Sequence, residues 1–172
     1  MNELTIYNLF KNIAASLTAN QLINGFDYGL YFEVNAKSNQ NYPVLYLEQD
    51  SSYLITGVNT GNPQTAFRVA FILLDTPSRK LEPALFKIHV AQVKSQLQYL
   101  GYLVQTTLAG LSIDNPTFTV GDTFNVASLD NVNNDQVVGY RFEVELSSGV
   151  APNPCAFEEV SGVTDLETLL DC

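Results

Sequence analysis

The longest patterned segment of the chain, Pro83 to Gly110, has the hydrophobic spacing of an amphipathic helix. Its apolar residues recur every three, four or five positions, which places them along one side of a helix: Leu85, Ile88, Val93, Leu97, Leu100, Val104 and Leu108. The other side carries polar residues without reactive chemistry: Lys87, Gln92, Lys94, Ser95, Gln96 and Gln98. The pattern therefore predicts one long helix with a single buried stripe.

Three residues define the expected limits of this helix. Pro83 suits the first turn, where a missing amide costs nothing, and Gly110 can adopt the left-handed conformation that closes the other end. Gly101, inside the pattern, predicts a bend or a close backbone contact, because glycine lowers helix stability by about 1 kcal/mol relative to alanine.

A second helix is predicted at the N-terminus, from Glu3 to Thr18. Asn2 is expected to cap it, since its side-chain oxygen can accept a free amide of the first turn, and Gly25 is expected to end it. The residues expected on its buried side are Leu9, Ile13 and Leu17, with Ile6 and Phe10 on an adjoining strip.

Most of the remaining chain alternates with the period of two that is typical of strands. Tyr28 to Asn35 predicts a half-buried strand, and Lys37 to Tyr42 a polar turn. Val44 to Gln49 is expected to return as the second arm of a hairpin. Thr56 to Gln64 is so rich in turn formers that we expect an exposed loop.

Ala66 to Asp75 is predicted to be the central strand, because it is apolar on both faces. Phe118 to Val126 predicts one strand broken at Gly121 or two short strands, and Asp130 to Asp135 a turn. Val137 to Ser147 predicts the last strand. In that strand Val138, Tyr140, Phe142, Val144 and Leu146 should face the core, and Arg141, Glu143 and Glu145 should face water.

These elements predict an α+β fold in which a mainly antiparallel sheet packs against one long helix and an N-terminal helix. We expect one domain over residues 1–150, because 172 residues are enough for one sizeable core. Residues 151–172 form an acidic tail whose few apolar anchors can dock as a short helix, on the same copy or on a neighbour.

Charge is divided unevenly along the chain. Residues 1–94 hold seven basic and seven acidic residues, whereas residues 95–172 hold one basic and eleven acidic residues, which accounts for the net charge of −10. Such a field repels phosphates, so we expect no DNA or RNA binding through the second half. The acidity either keeps the surface soluble or forms an acidic docking face.

Two further features bound the environment of the protein. No apolar run approaches the roughly 20 residues that cross a bilayer, so no membrane association is expected and the protein should be cytosolic or assembled from the cytosol. Cys155 and Cys172 both lie in the tail, either as free thiols or as a pair that would link the tail to itself.

No motif supplies a catalytic set. His89 has no carboxylate or cysteine three or four positions away, and no serine elbow or phosphate-binding glycine loop is present. Asp130 to Asp135 suits an Asx-rich turn better than a calcium loop, since Val132 stands where a ligand is needed. Glu143 and Glu145 are expected in solvent, which makes them a poor acid and base pair. We predict neither an enzyme nor a bound metal or cofactor.

Aromatic residues give a positive indication of assembly. Tyr31, Tyr99 and Tyr102 are predicted to lie off the buried stripes, and exposed aromatic side chains are enriched at protein interfaces.

The order of the elements resembles that of head–tail connector and tail-terminator proteins of tailed bacteriophages. The resemblance is greatest to the versions in phages of Bacteroidetes hosts, including the crAss-like group. There a final strand like Val138 to Val144 leads into a segment like Ala151 to Cys155. The pattern covers about residues 4–155, and the acidic tail from Phe157 departs from it.

The resemblance implies a non-catalytic virion protein, assembled in the host cytoplasm, that forms a homo-oligomeric ring between portal and tail. By analogy the ring is six- or twelve-fold and contacts the portal and neighbouring tail or ring proteins. DNA passes through it without specific binding. We expect part of the acidity of residues 95–172 to line that channel.

Three segments are expected to make the contacts: the loop from Thr56, the polar side of the long helix, and the tail. The candidate interface residues are Thr56, Asn59, Asn62, Lys87, Lys94, Gln98, Pro152, Pro154, Leu166 and Leu169. The alternative is a monomeric α+β module that binds a small apolar ligand. An enzyme would have to depend on His89 or on Glu143 and Glu145.

Overall fold

A computed structural model describes residues 2–30, 41–49, 52–56, 64–77, 82–114, 118–132 and 137–148. The helices are α1 (Glu3–Ala19) and α2 (Pro83–Asp114). The strands are β1 (Gly25–Gly29), β2 (Val44–Glu48), β3 (Ser52–Thr56), β4 (Gln64–Asp75), β5 (Thr119–Val120), β6 (Asn125–Val132) and β7 (Val137–Ser148). The predicted α+β class, with an N-terminal helix and one long helix on a mainly antiparallel sheet, is confirmed.

The sheet is centred on β4 and β7, which pair antiparallel along their length. On the other side of β4, β2 pairs with residues 71–74 and β3 with residues 64–68. On the other side of β7, β6 pairs with the first half and β5 with the end. The central position predicted for Ala66 to Asp75 is confirmed, and so is the division of Phe118 to Val126 into two strands.

The predicted hairpin between β1 and β2 is wrong, because β1 pairs with β2 in parallel, from Gly25 beside Val44 to Gly29 beside Glu48. Residues 30–43 connect the two strands. Parallel neighbours need a connection of about a dozen residues, and this one is long enough. Of the predicted strand Tyr28 to Asn35, Tyr28 and Gly29 belong to β1, and residues 31–40 lie outside the described part.

The N-terminal helix is bounded partly as predicted. The backbone N–H of Thr5 donates to Asn2 Oδ1 at 2.8 Å, which confirms the cap. Gly25 does not end the helix, since it opens β1. The helix ends at Ala19 and is capped by Asn20, whose N–H donates to Ser16 O, and Gln21 follows in the left-handed region with φ of 58°.

The long helix begins at Pro83, as predicted, but it runs through Gly110 to Asp114. Leu85 and Ile88, which were predicted to be buried, are 52% and 57% exposed. Its buried residues are Val93, Leu97, Leu100, Gly101, Val104 and Leu108. The predicted stripe contained a five-residue step from Ile88 to Val93, and five residues turn a helix by about 140°. That step moves the earlier residues onto another face.

The core beneath both helices is organised around a row of aromatic rings. Phe10 of α1 packs on Phe71 of β4 at 5.3 Å between centroids, and Phe71 stacks on Phe142 of β7 at 4.9 Å with an interplanar angle of 9°. Gly101 of α2 completes the row, since a methyl group added there would overlap the ring of Phe142. The close contact predicted at Gly101 is confirmed.

The opposite face of the sheet also contains a buried apolar cluster, formed by Val44, Tyr46, Ile72, Leu74 and Val137. The prediction that this face meets water is therefore wrong in part: Glu145 is exposed, whereas Arg141 and Glu143 are partly buried. Asp130 also departs from prediction, because it belongs to β6 and not to a turn.

An ion pair lies beside this second cluster. Arg141 donates from Nε to Glu48 Oε1 at 2.6 Å and from Nη2 to Oε2 at 2.8 Å, and its Nη1 donates to Glu143. The Glu48 side chain is only 4% exposed. Hydrogen bonding by the Glu48 carboxylate raises the pKa of Arg141 above its ordinary value, so the guanidinium keeps its charge.

We expect Gly101→Ala to lower the free energy of unfolding by about 1–3 kcal/mol, because the added methyl group would overlap the ring of Phe142, which is stacked on Phe71. Gly110→Ala is the matched control. A methyl group there meets nothing within 4 Å, so it should stabilise the protein by about 0.5–1 kcal/mol. Denaturant unfolding measures both changes, and equal effects at the two positions would contradict the packing role of Gly101.

We expect Arg141→Leu to destabilise the protein by about 3–5 kcal/mol, since it leaves the buried carboxylate of Glu48 without its partner. The double variant Glu48→Met, Arg141→Leu should lose less than the sum of the two single variants. Asp130→Asn breaks the pair between the exposed Asp130 and the partly buried Lys94 and should cost no more than about 1 kcal/mol. Additive single-variant losses in denaturant unfolding would count against the ion pair.

Candidate functional site

One side of α2 is exposed along several turns. Residues spaced alternately by three and four lie opposite the buried stripe, and we call them the outer α2 face: Leu85, Ile88, Gln92, Ser95, Tyr99 and Tyr102. Tyr99 and Tyr102 are 59% and 58% exposed, which confirms their prediction, while Tyr31 lies outside the described residues. None of the six is charged, although solvent-facing sides of helices normally carry charge.

Two open grooves run beside the outer α2 face and share Ser95 and Gln96. The first is lined by Ile88, His89, Ala91, Gln92, Ser95 and Gln96. The second lies between α2 and the segment that follows α1, with Leu22 and Pro43 opposite Tyr99. The two shallow grooves adjoin at Ser95 and Gln96, which lie on the exposed side of α2.

Strand β3 forms a second exposed apolar surface. Tyr53, Leu54 and Ile55 are 62%, 63% and 42% exposed, and we call these three residues the β3 ridge. Successive residues of a strand point to opposite faces, so Tyr53 and Leu54 expose both faces of the strand. The Tyr53 ring lies 5.7 Å from that of Phe67, which supports one side of the ridge.

A third feature joins α1 to β1. Tyr7 contacts Phe26 and Tyr28 at centroid distances of 5.8 and 5.2 Å, and Lys11 Nζ lies 5.6 Å from the Tyr7 centroid. An open groove adjoins these rings. Its aromatic residues pack α1 onto the sheet edge.

The ionisable residues considered for catalysis do not converge. Glu143 is bonded to Arg141, whereas Glu145 is exposed and accepts only a long contact from Ser147. Within the described ranges, no three of histidine, cysteine, aspartate and glutamate are grouped so as to hold a metal ion.

His89 does have an acidic neighbour that its sequence spacing did not reveal. Burial raises the pKa of Asp75, an effect that the backbone N–H of Thr76, at 2.7 Å, and the nearby His89 oppose. Asp75 lines the second groove and His89 the first. Ser95 lines both grooves, but its hydroxyl donates to the Ala91 carbonyl at 2.9 Å, so these residues are a weak basis for catalysis.

The candidate interface residues of α2 have different surroundings. Lys87 and Gln98 are exposed. Lys94 is partly buried, because its Nζ pairs with Asp130, donates to Ser128 Oγ at 2.9 Å and lies 6.0 Å from the Tyr140 ring. Lys94 therefore fastens α2 to β6 and β7 within one copy.

The other candidates are placed less fully. Thr56 ends β3 and pairs with Gln64. Asn59, Asn62, Pro152, Pro154, Leu166 and Leu169 lie outside the described residues, as do Cys155 and Cys172. The outer α2 face and the β3 ridge were missed as surfaces. The alternating spacing of three and four from Leu85 to Tyr102 was a readable signal for the first.

The acidity of residues 95–172 is only partly visible in the structure. The described part contains Asp114, Asp122, Asp130, Glu143 and Glu145. Asp130 and Glu143 pair with cations of the same chain. The placement of acidic residues along a channel stays a prediction. Neither described helix is long and apolar enough to cross a membrane.

We expect Asp75→Asn to be at least as stable as the native chain at pH 7, because the amide oxygen can still accept the Thr76 N–H without a buried charge. The folded chain binds a proton at Asp75 more tightly than the unfolded chain does, so native stability rises as pH falls through the raised pKa towards 3.8. The stability difference should therefore shrink on acidification. Denaturant unfolding at several pH values checks this, and a difference that widens at low pH would contradict it.

Comparison of the sequence with protein-family models and with curated proteins gives no match.

Proposed function

We propose that the chain is a virion structural protein that assembles into a closed homo-oligomeric ring at the head–tail junction of a tailed bacteriophage, where it joins portal to tail. The observation that supports assembly is the pair of separate, uncharged surfaces that expose leucine, isoleucine and tyrosine side chains, the outer α2 face and the β3 ridge.

Exposed apolar surface of this kind needs a partner. Soluble monomers rarely expose contiguous apolar patches, and those that are exposed usually mark interaction sites. A closed ring requires each copy to present one surface to the preceding copy and a different surface to the following one. The outer α2 face and the β3 ridge lie on different elements and differ in composition, as that requirement demands.

The location in the virion rests on the resemblance of the element order and of the final strand, Val138 to Val144. In this role the portal and adjacent tail or ring proteins are the partners, and DNA crosses the ring without specific binding. The net charge of −10 is compatible with that passage, because an acidic wall repels the phosphates of DNA.

The alternative, a monomeric ligand-binding module, is favoured by the second groove, where Leu22, Pro43 and Tyr99 offer apolar contacts. A ligand site normally encloses most of its ligand. This groove is open to solvent, which fits a protein surface better than a small molecule.

We expect the purified chain to sediment as one species of about six or twelve subunits, because the apolar surfaces should be covered in the stable state. Analytical ultracentrifugation gives the mass, and electron microscopy of the same sample should show closed rings. Rings mixed with a phage portal should bind it end-on. A chain that remains monomeric at every concentration would contradict the ring, and rings that ignore the portal would contradict the location.

A further inference from the structure

We infer that the second groove binds a lysine or arginine side chain of a different protein, with the Asp75 carboxylate as its counter-charge. This groove lies between α2 and the segment that follows α1. The contact is made with another protein and not between copies of this chain, so the inference goes beyond the proposed ring and is tested separately from it.

The first argument is the state of the Asp75 side chain. Asp75 ends β4, lines the second groove and is partly buried. Its Oδ1 accepts the backbone N–H of Thr76 at 2.7 Å, and burial raises the pKa of its carboxyl group. Among the described residues, only His89 offers a counter-charge, and an imidazole carries little charge at pH 7. A partly buried carboxylate in this position attracts a cation, because burial without a partner costs free energy.

The second argument is the source of that cation. The described lysine and arginine residues make no ion pair with Asp75: Lys11, Arg68, Lys87, Lys94 and Arg141. Lys94 and Arg141 pair with other carboxylates, and Arg68 is separated from Asp75 by about 23 Å along β4. A second copy carries the same net charge of −10 and is repelled, whereas a basic protein is attracted. The cation is therefore expected on a different protein.

The third argument is the lining of the groove. Leu22, Pro43 and Tyr99 offer apolar contacts beside the carboxylate, and the volume of about 570 Å³ accommodates one long side chain. Lysine and arginine pack their methylene groups along apolar surface and keep the charged group hydrogen-bonded. The Tyr99 ring can also contact a cation through its face, and the side-chain oxygen of Gln96 can accept a hydrogen bond. The groove thus suits both the stem and the charge of a basic side chain.

Saturation-transfer NMR with the full chain tests this contact, because it detects weak binding of a small peptide to a protein of any size. One probe is the peptide acetyl-Gly-Lys-Gly-amide, and the other has norleucine for lysine, which keeps the carbon stem but lacks the ammonium group. Asp75→Asn removes the counter-charge, and Asp122→Asn removes one exposed charge elsewhere as its matched control. Tyr99→Ala and Tyr102→Ala remove equally exposed rings, of which only Tyr99 lines the groove.

We expect the native chain to bind the lysine peptide more tightly than the norleucine peptide. Asp75→Asn should weaken binding of the lysine peptide by about tenfold, as expected for the loss of one charged hydrogen bond, and leave the norleucine peptide unaffected. Tyr99→Ala should weaken binding of both peptides, because it removes part of the apolar lining. Asp122→Asn and Tyr102→Ala should bind both peptides as the native chain does.

Four results would overturn the inference. The first is a lysine peptide that does not bind. Equal losses in Asp75→Asn and Asp122→Asn would mean that net charge alone attracts the peptide, and equal affinity for the two peptides would mean that the ammonium group has no partner. A native chain more stable than Asp75→Asn at pH 7 would mean that Arg79 or Lys80, next along the chain, already neutralises the carboxylate. None of these results bears on the ring, which sedimentation measures.

Discussion

The fold depends on the contact between Gly101 and the ring of Phe142. The row that begins with Phe10 and passes through Phe71 to Phe142 connects α1, the two central strands and α2 in one packed unit. A side chain at position 101 would force the long helix away from the sheet. Because packed interiors tolerate little added volume, the absence of a side chain at position 101 determines how closely α2 approaches the sheet.

The sequence predicted those elements whose pattern is local. The central strand was recognisable because both of its faces are apolar, and α1 because Asn2 can supply its cap. Gly101 was recognised as unusual for a helix interior, although its partner Phe142 is 41 positions away and has no local signature. Local patterns identify an element, whereas the partner of that element depends on the whole fold.

The errors share this cause. Whether β1 runs parallel or antiparallel to β2 depends on the path of the connection at residues 30–43. The alternation of polar and apolar residues does not encode that path. The long helix has one buried stripe and one exposed stripe. Because the predicted buried stripe allowed steps of five residues, it included Leu85 and Ile88, which belong to the exposed stripe. Among the candidate contact residues, Lys94 pairs with Asp130 and donates to Ser128 of its own chain. A polar residue on a helix can therefore hold two elements of one copy together.

The ion pair between Glu48 and Arg141 also restricts the ways in which the sheet can be aligned. These residues are 93 positions apart and belong to β2 and β7, which flank β4 on either side. A shift of one residue in the register of β2 would turn the Glu48 carboxylate towards the hydrophobic core beneath the helices. The ion pair therefore fixes the register of β2 relative to β7, so that strands far apart in the sequence pair in one arrangement.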